Sequence, residues 1–261
     1  ATDLFVHWPS RIADPDEVFV DLSGVAELRA YRWTDDELVL GGMTTYWDII
    51  TDPRACEAFP MLVSAARTVG SIQIQTRGTW AGNIANASPA ADGVPALMAL
   101  DAVVELTSAG GTESVRLDSI YLGYKQLRMR PDQIITAIRV PRRAHGFESF
   151  VKIGSRRAQA ITKVGAAVAR SDAAGWRVVA NSMAPTVRRC RALEAELENE
   201  TPMRGHEDFV APLSRDLSPI DDIRSTASYR LGVLARVLYH ELEPVCHWIG
   251  TGSGGPGRDE T

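Results

Sequence analysis

The chain has 261 residues, 45% of them hydrophobic and 23% charged, with a formal net charge of -5. That is enough to bury one large or two modest cores, and the negative balance argues against nucleic acid as the main partner. No window approaches the roughly eighteen uninterrupted apolar residues that a membrane helix needs, and the first residues lack a basic-then-apolar signal segment, so no membrane span and a cytoplasmic location are expected.

The three cysteines, Cys56, Cys190 and Cys246, are far apart, which suggests neither a disulfide framework nor a CxxC metal or cluster site. Any iron–sulfur chemistry would belong to another chain. His240, Cys246 and His247 come nearest to a ligand cluster but lack a metal-ligand spacing, so no metal site is expected. Lys152, Arg156, Arg157, Arg188, Arg189 and Arg191 make a locally basic segment that reads equally well as a solvated face or as a binding surface.

In chain order, "VFVDLSGV" (18–25) and "ELVLGG" (37–42) read as strands, the second ended by a glycine pair. "MTTYWDIIT" reads as a helix capped by Thr44 or Thr45, and "FPMLVSAARTVG" as another with Pro60 in its first turn and Gly70 as its stop. Residues 95 to 100 suit a buried helical turn, "AVVELTSAGGTESVRL" a hairpin, and "DQIITAIRVP" a strand stopped by Pro141. "RRAHG" (142–146) is a candidate joint between domains. Beyond it, "FESFVKIGS", "ITKVGAAVAR" and "WRVVANSMA" form a three-stranded meander. Residues 223 to 242 then place Leu231, Leu234, Ala235, Leu238 and Leu242 on one face of a helix. The closing "GTGSGGPGRDET" (250–261) is expected to be a mobile tail.

The stretch "TRGTWAGNIANASPAADGVP" (76–95) holds almost nothing but small and polar side chains. Such a run, read as a loop, lets the backbone approach a ligand closely and turns several N–H groups to one concave patch that suits phosphate oxygens. Thr79, Asn83, Asn86 and Ser88 add short donors, and Asp92 can accept from ribose hydroxyls or a heterocycle. The bland alternative is a tight turn packed on the next helix. Neither GxGxxG after a strand nor GxxxxGKS is present, so a Rossmann site and a P-loop are both unsupported.

The order "RGTWAGNIANASPAADGVPALMALDA" resembles the second flavin-binding motif of the FAD-binding medium subunit of the molybdenum hydroxylases, the family of xanthine dehydrogenase and aerobic carbon monoxide dehydrogenase. "LGYKQLRMRPDQIITAIRVP" (122–141), "FVKIGSRRAQAITKVGAAV" (150–168) and "DDIRSTASYRLGVLARVL" (221–238) resemble further segments of that family in the same order. The resemblance implies an α+β chain. A two-part, vanillyl-alcohol-oxidase-like FAD-binding domain at 1–143 is followed by an α+β C-terminal domain at 146–245, with a three-stranded antiparallel sheet and helices.

It also implies site residues. Backbone N–H groups around Thr79, Ala81, Gly82 and Asn83 would bind the FAD pyrophosphate with help from the Thr79 hydroxyl, and Asn86 and Asp92 would contact the ribityl or adenosine part. Met129 matches an apolar residue packed near the cofactor, and Lys152 a lysine beside the isoalloxazine, where a cation would favour the reduced, anionic ring. Read without the family, Lys152 is a surface lysine at a strand end.

Two departures stand out. Ala81-Gly82 replaces the usual glycine pair, which an alanine tolerates only at negative φ. "ATDL" matches the end of the first flavin loop, so Ala1, Thr2 and Asp3 are candidate cofactor residues, with the loop's leading glycine and the preceding strand and helix expected upstream.

The implied function is that of an oxidoreductase subunit. Electrons from a molybdenum cofactor in a large subunit would pass through [2Fe-2S] clusters in a small subunit to FAD here, and then to NAD, a quinone or oxygen; no catalytic side chain is required. Two rivals remain: a scaffold subunit of the same fold without flavin, and a free-standing flavin oxidase. Relatives of the oxidase kind attach flavin through a histidine or cysteine, and the 76–92 stretch contains neither.

Overall fold

The computed structural model describes residues 2–11 and 18–250; Ala1 and all of the expected tail except Gly250 lie outside them. The chain opens with helix α1 (Thr2–Arg11), and a short α2 (Ala26–Arg29) leads into strands β1 (Arg32–Trp33) and β2 (Glu37–Gly41). Residues 18–22 form no strand, contrary to their alternating pattern. The cause is local: the Asp21 carboxylate accepts from the Ser23 N–H at 2.8 Å and its hydroxyl at 2.9 Å, which bends the chain into a turn before α2.

Four short helices follow: α3 (Tyr46–Ile50), α4 (Pro53–Ala58), α5 (Pro60–Thr68) and α6 (Ile72–Gln75). Thr45 caps α3 through a reciprocal capping box with Asp48, and Pro60 opens α5 while Gly70 closes it at φ +51°. The small-residue stretch is less of a loop than its composition implies. It holds α7 (Trp80–Ala85) and the start of α8 (Gly93–Ala99), every residue of which is buried. The hairpin β3 (Val103–Ser108) and β4 (Gly111–Arg116) comes next. The small ribbon β5 (Tyr121–Gly123) and β6 (Gln126–Leu127) then precedes β7 (Ile134–Pro141).

β1, β2, β7, β3 and β4 pair in that order as an antiparallel sheet. Its apolar face, with Leu38, Leu40, Val104, Leu106, Ile138 and Val140, packs in one core with Ile49, Leu62, Trp80 and Leu97 from the helices.

Past residues 142–146 the three expected long strands appear as β8 (Phe147–Ile153), β9 (Val164–Ser171) and β10 (Gly175–Asn181). A two-residue β11 (Arg188–Arg189) adds to β10, so the sheet has four strands in the order β11-β10-β9-β8. Helices α9 (Arg191–Glu198), α10 (Val210–Asp216) and α11 (Ala227–Leu242) complete the chain. Thr226 caps α11 by accepting from the Tyr229 N–H, which is why the helix starts later than its apolar period suggests.

This second sheet is covered on both faces. Ala167, Ala169 and Val179 belong to the first core; Ala166, Val168, Val178 and Ala180 pack in a second core with Leu193, Leu234, Leu238 and Leu242. A strand buried on both sides reads as a continuous apolar run, as "VGAAVA" in β9 does.

Candidate functional site

The site is built outward from Thr79. Tyr46 N–H donates to Gly78 O at 3.3 Å and Trp80 N–H to Thr44 O at 3.2 Å, which pins residues 44–46 against 78–80 with Thr45 and Thr79 facing each other. At that position of an antiparallel bridge the Thr79 N–H turns away from its neighbour. Thr79 then caps α7, its hydroxyl oxygen accepting from the Gly82 N–H at 3.0 Å and keeping its own O–H to donate. Among the described residues, the amides of Thr79 and Ala81 have no partner. Gly82 is exposed, and a Cβ there would meet only Thr79 Oγ1, at 2.8 Å. Ala81 is helical and not among the positive-φ residues, so the alanine sits without strain.

Three buried polar atoms beside this turn also lack partners among the described residues: Thr44 Oγ1, Tyr46 OH and Trp80 Nε1. The Tyr46 and Trp80 rings lie 4.7 Å apart. Burial, then the charges of Asp92 and Asp3, holds the Tyr46 phenol well above its ordinary pKa, so it stays protonated. Each buried orphan costs about 1–3 kcal/mol. Unclaimed amides and hydroxyls on one small-residue turn match the demands of a ligand rich in acceptor oxygens, such as a pyrophosphate; by that test FAD fits here.

The remaining residues of the stretch are tied back into the protein. Asn83 Oδ1 accepts from the Gly93 N–H at 3.2 Å, and Asn86 accepts Lys125 Nζ at 2.7 Å on both its main-chain and side-chain oxygens. Asp92 Oδ2 takes Lys152 Nζ at 2.6 Å, with the two side chains 12% and 11% exposed. Its Oδ1 accepts the Thr162 hydroxyl. Lys152 also donates to Thr68 O at 2.9 Å, and Asn181 Nδ2 to Ala91 O at 2.9 Å. Asp92 and Lys152 stand in the wall of a cavity of about 880 Å³ built by both halves of the chain. Ile74, Tyr124, Ile161 and Ile220 give it an apolar rim, and Ser182 and Arg230 complete its wall. A second cavity of about 740 Å³, around Trp33, Arg54 and Arg142, contains none of the candidate residues.

The structure thus places the candidates in two groups. Thr79, Ala81, Gly82 and Asn83 share the first turn of α7, and Asn86 ends that helix. Asp92 and Lys152 share the cavity, and the Asn83–Gly93 bond joins the two groups. Met129 packs on the first core, Thr2 and Asp3 lie in α1, and Ala1 is outside the described residues. Sequence reasoning passed over Thr162, Asn181, Ser182 and Arg230. Only Arg230 carried a signal: it falls four residues before Leu234 on the buried face of α11, where a cation needs a reason.

Residues 1–143 match the family model of the FAD binding domain in molybdopterin dehydrogenase, and residues 149–245 that of the CO dehydrogenase flavoprotein C-terminal domain. The chain is 27% identical over 232 residues to the nicotine 6-hydroxylase medium subunit of Paenarthrobacter nicotinovorans, covering 87% of this chain and 81% of that protein. It is 34% identical to the nicotinate dehydrogenase FAD-subunit of Eubacterium barkeri over 67% of this chain and 60% of that one. Among solved structures, a chain of carbon monoxide dehydrogenase from Hydrogenophaga pseudoflava superposes with a TM-score of 0.83 at 25% identity, over 95% of this chain and 88% of that one. The chain therefore belongs to the molybdopterin dehydrogenase FAD-binding family, as an FAD-binding oxidoreductase subunit of the medium-subunit type.

Proposed function

We propose that the chain is the electron exit of a molybdenum hydroxylase, taking electrons from iron–sulfur clusters of a small subunit and passing them to an external acceptor. The large subunit would carry the molybdenum cofactor, in keeping with the medium-chain relatives and with the molybdenum cofactor named for the carbon monoxide dehydrogenase structure. Bound FAD supplies the chemistry, since it can exchange electrons singly or in pairs. The protein's residues bind, orient and tune. The Thr79 and Ala81 amides, the open backbone at Gly82 and the Thr79 hydroxyl receive the pyrophosphate; Asn86 keeps its side-chain N–H groups for the cofactor while its oxygen holds Lys125. Lys152 places a cation in the cavity wall, and Asp92 holds that cation in place rather than meeting the cofactor first.

The observation that carries this reading is the cavity shared by the two family-matched halves, with Lys152 of one half paired to Asp92 of the other in its wall. The test is flavin content and electron flow in the complex purified with its partner chains. The expected result is close to one FAD per chain, bleached by the holoenzyme's substrate only when the cluster-bearing subunit is present. Folded complex without flavin would overturn the reading in favour of a scaffold. Flavin reduced equally well without the cluster subunit would overturn the electron route.

A further inference from the structure

Arg230 occupies the face of α11 that Leu234, Leu238 and Leu242 continue at four-residue spacing, and it is only 4% exposed. Helix packing alone would call for leucine there. Its guanidinium instead reaches three segments of the cavity wall. Nη1 donates to the main-chain oxygens of Lys163, at 2.8 Å, and Ser182, at 3.1 Å, while Nη2 donates to Asp222 Oδ1 at 2.8 Å.

Both main-chain acceptors continue toward the site. Ser182 sits at φ +63°, a conformation a non-glycine residue holds only when its surroundings impose it. Its N–H donates to Pro89 O at 2.7 Å and its hydroxyl to Thr162 O at 2.8 Å. Lys163 directly follows Thr162, whose own hydroxyl donates to Asp92. One buried side chain on the C-terminal helix therefore braces both ends of the turn that runs from Ser88 to Asp92 in the first domain.

We propose that Arg230 is a positioning residue for the cofactor: from α11, through Ser182 and Thr162, it sets the 88–92 turn and the Asp92–Lys152 pair, so that flavin affinity depends on it. This rests on the cofactor reading above. Arginine is required for its shape as well as its charge, because a planar fork makes all three bonds at once and an ammonium at the end of a lysine cannot.

The test measures the dissociation constant of FAD in the complex, with the melting temperature of the flavin-stripped complex recorded beside it. Variants are Arg230→Lys, Thr162→Val and the pair together. Because the two residues act in one chain of bonds, R230K is expected to weaken FAD binding by about tenfold or more, and T162V to add little once R230K is present. A merely structural arginine predicts a lower melting temperature with the FAD constant unchanged, or effects that multiply; either result overturns the proposal. If R230K does not fold, Asp222→Ala carries the same cycle, since it keeps the guanidinium and its two carbonyls but removes the acceptor of one arm. Wild-type complex that binds no FAD would overturn this proposal and the cofactor reading together. Wild type that binds FAD, with variants that bind it equally, would overturn this one alone.

Discussion

Asp92→Ala is the most informative perturbation of the site because it leaves a charge behind. Asp92 and Lys152 lie 2.6 Å apart with both side chains nearly nine-tenths covered, and among the described residues the ammonium's other acceptor is the Thr68 carbonyl at 2.9 Å. Taking one partner from a buried ion pair typically costs about 3–5 kcal/mol, far more than a surface pair is worth, since the survivor keeps its desolvation penalty. The Thr162 hydroxyl loses its acceptor as well. Lys152 borders the cavity, where water can relieve part of the strain, so the lower end of that range, about 3 kcal/mol, is the expectation. At about 2–4 °C per kcal/mol for a chain near this size, the melting temperature should fall by about 6–12 °C. Asp92→Asn keeps an acceptor for Thr162 and should lose about half as much.

The assay is thermal or urea unfolding at neutral pH of wild type, D92A, Lys152→Met and the double variant. Removing both partners relieves the unpaired charge, so the double variant should be more stable than the sum of the single losses by about 1–3 kcal/mol. Raised salt should change little, as a covered pair is poorly screened. A D92A loss under about 0.5 kcal/mol, or additive losses, would refute the reasoning and make the pair a solvated contact.

Other expectations are open to the same instruments. Burial pushes the Asp101 carboxyl up, but hydrogen bonds and charges from Arg177 and Arg143 outweigh it and hold its pKa below 3.8; hydrogen bonding to Arg116 lowers Asp118 likewise. Carboxylates lowered in the folded state contribute stability above the ordinary carboxylate range and lose it as pH falls through the folded pKa. Acid unfolding should therefore set in below about pH 4, and Asp101→Asn should flatten that limb; an unchanged acid profile would count against it. At Gly93 a Cβ would lie 3.0 Å from Asn83 Oδ1, 3.1 Å from Trp80 and 3.2 Å from Tyr46, so Gly93→Ala should cost about 1–3 kcal/mol in urea unfolding, and a neutral result would show that the rings can yield. Cys56 is exposed whereas Cys190 and Cys246 are buried, burial raising the Cys246 thiol to about 11. Iodoacetamide should label one thiol in the native chain and three after unfolding, read by mass; three in the native chain would contradict the packing.

What the sequence showed of this molecule depended on how locally each feature is determined. A cap at Thr44 or Thr45, Pro60 and Gly70 around one helix, and the hairpin of β3 and β4 are settled within a few residues, and each was legible; the structure chooses Thr45 through its reciprocal bonds with Asp48. The 18–25 run misled because alternation describes a surface that could pair, while the Asp21–Ser23 bonds had already turned the chain. Within 76–95, Thr79 was singled out as a short donor and not as a cap, because abundant glycine and alanine hid the short helix that it opens. The family motif supplied the candidates around Thr79, but not the bonds that hold Asp92. Its partners stand at 152 and 162, positions no periodicity connects to it, and they meet only because β8 and the segment before β9 lie beside the turn ahead of α8.

The two-faced sheet explains how a site divided between domains can be rigid. Ala167, Ala169 and Val179 extend the first core into the second domain, so moving one half against the other would expose that face to water. The small residues of β9 make this possible, because Gly165, Ala166 and Ala167 let the layers on both sides approach closely. The position of Lys152 opposite Asp92 is thereby set by packing before any ion pair forms. The pair then needs little further ordering of its side chains, which is the condition under which a covered ion pair can hold one geometry in a cavity wall.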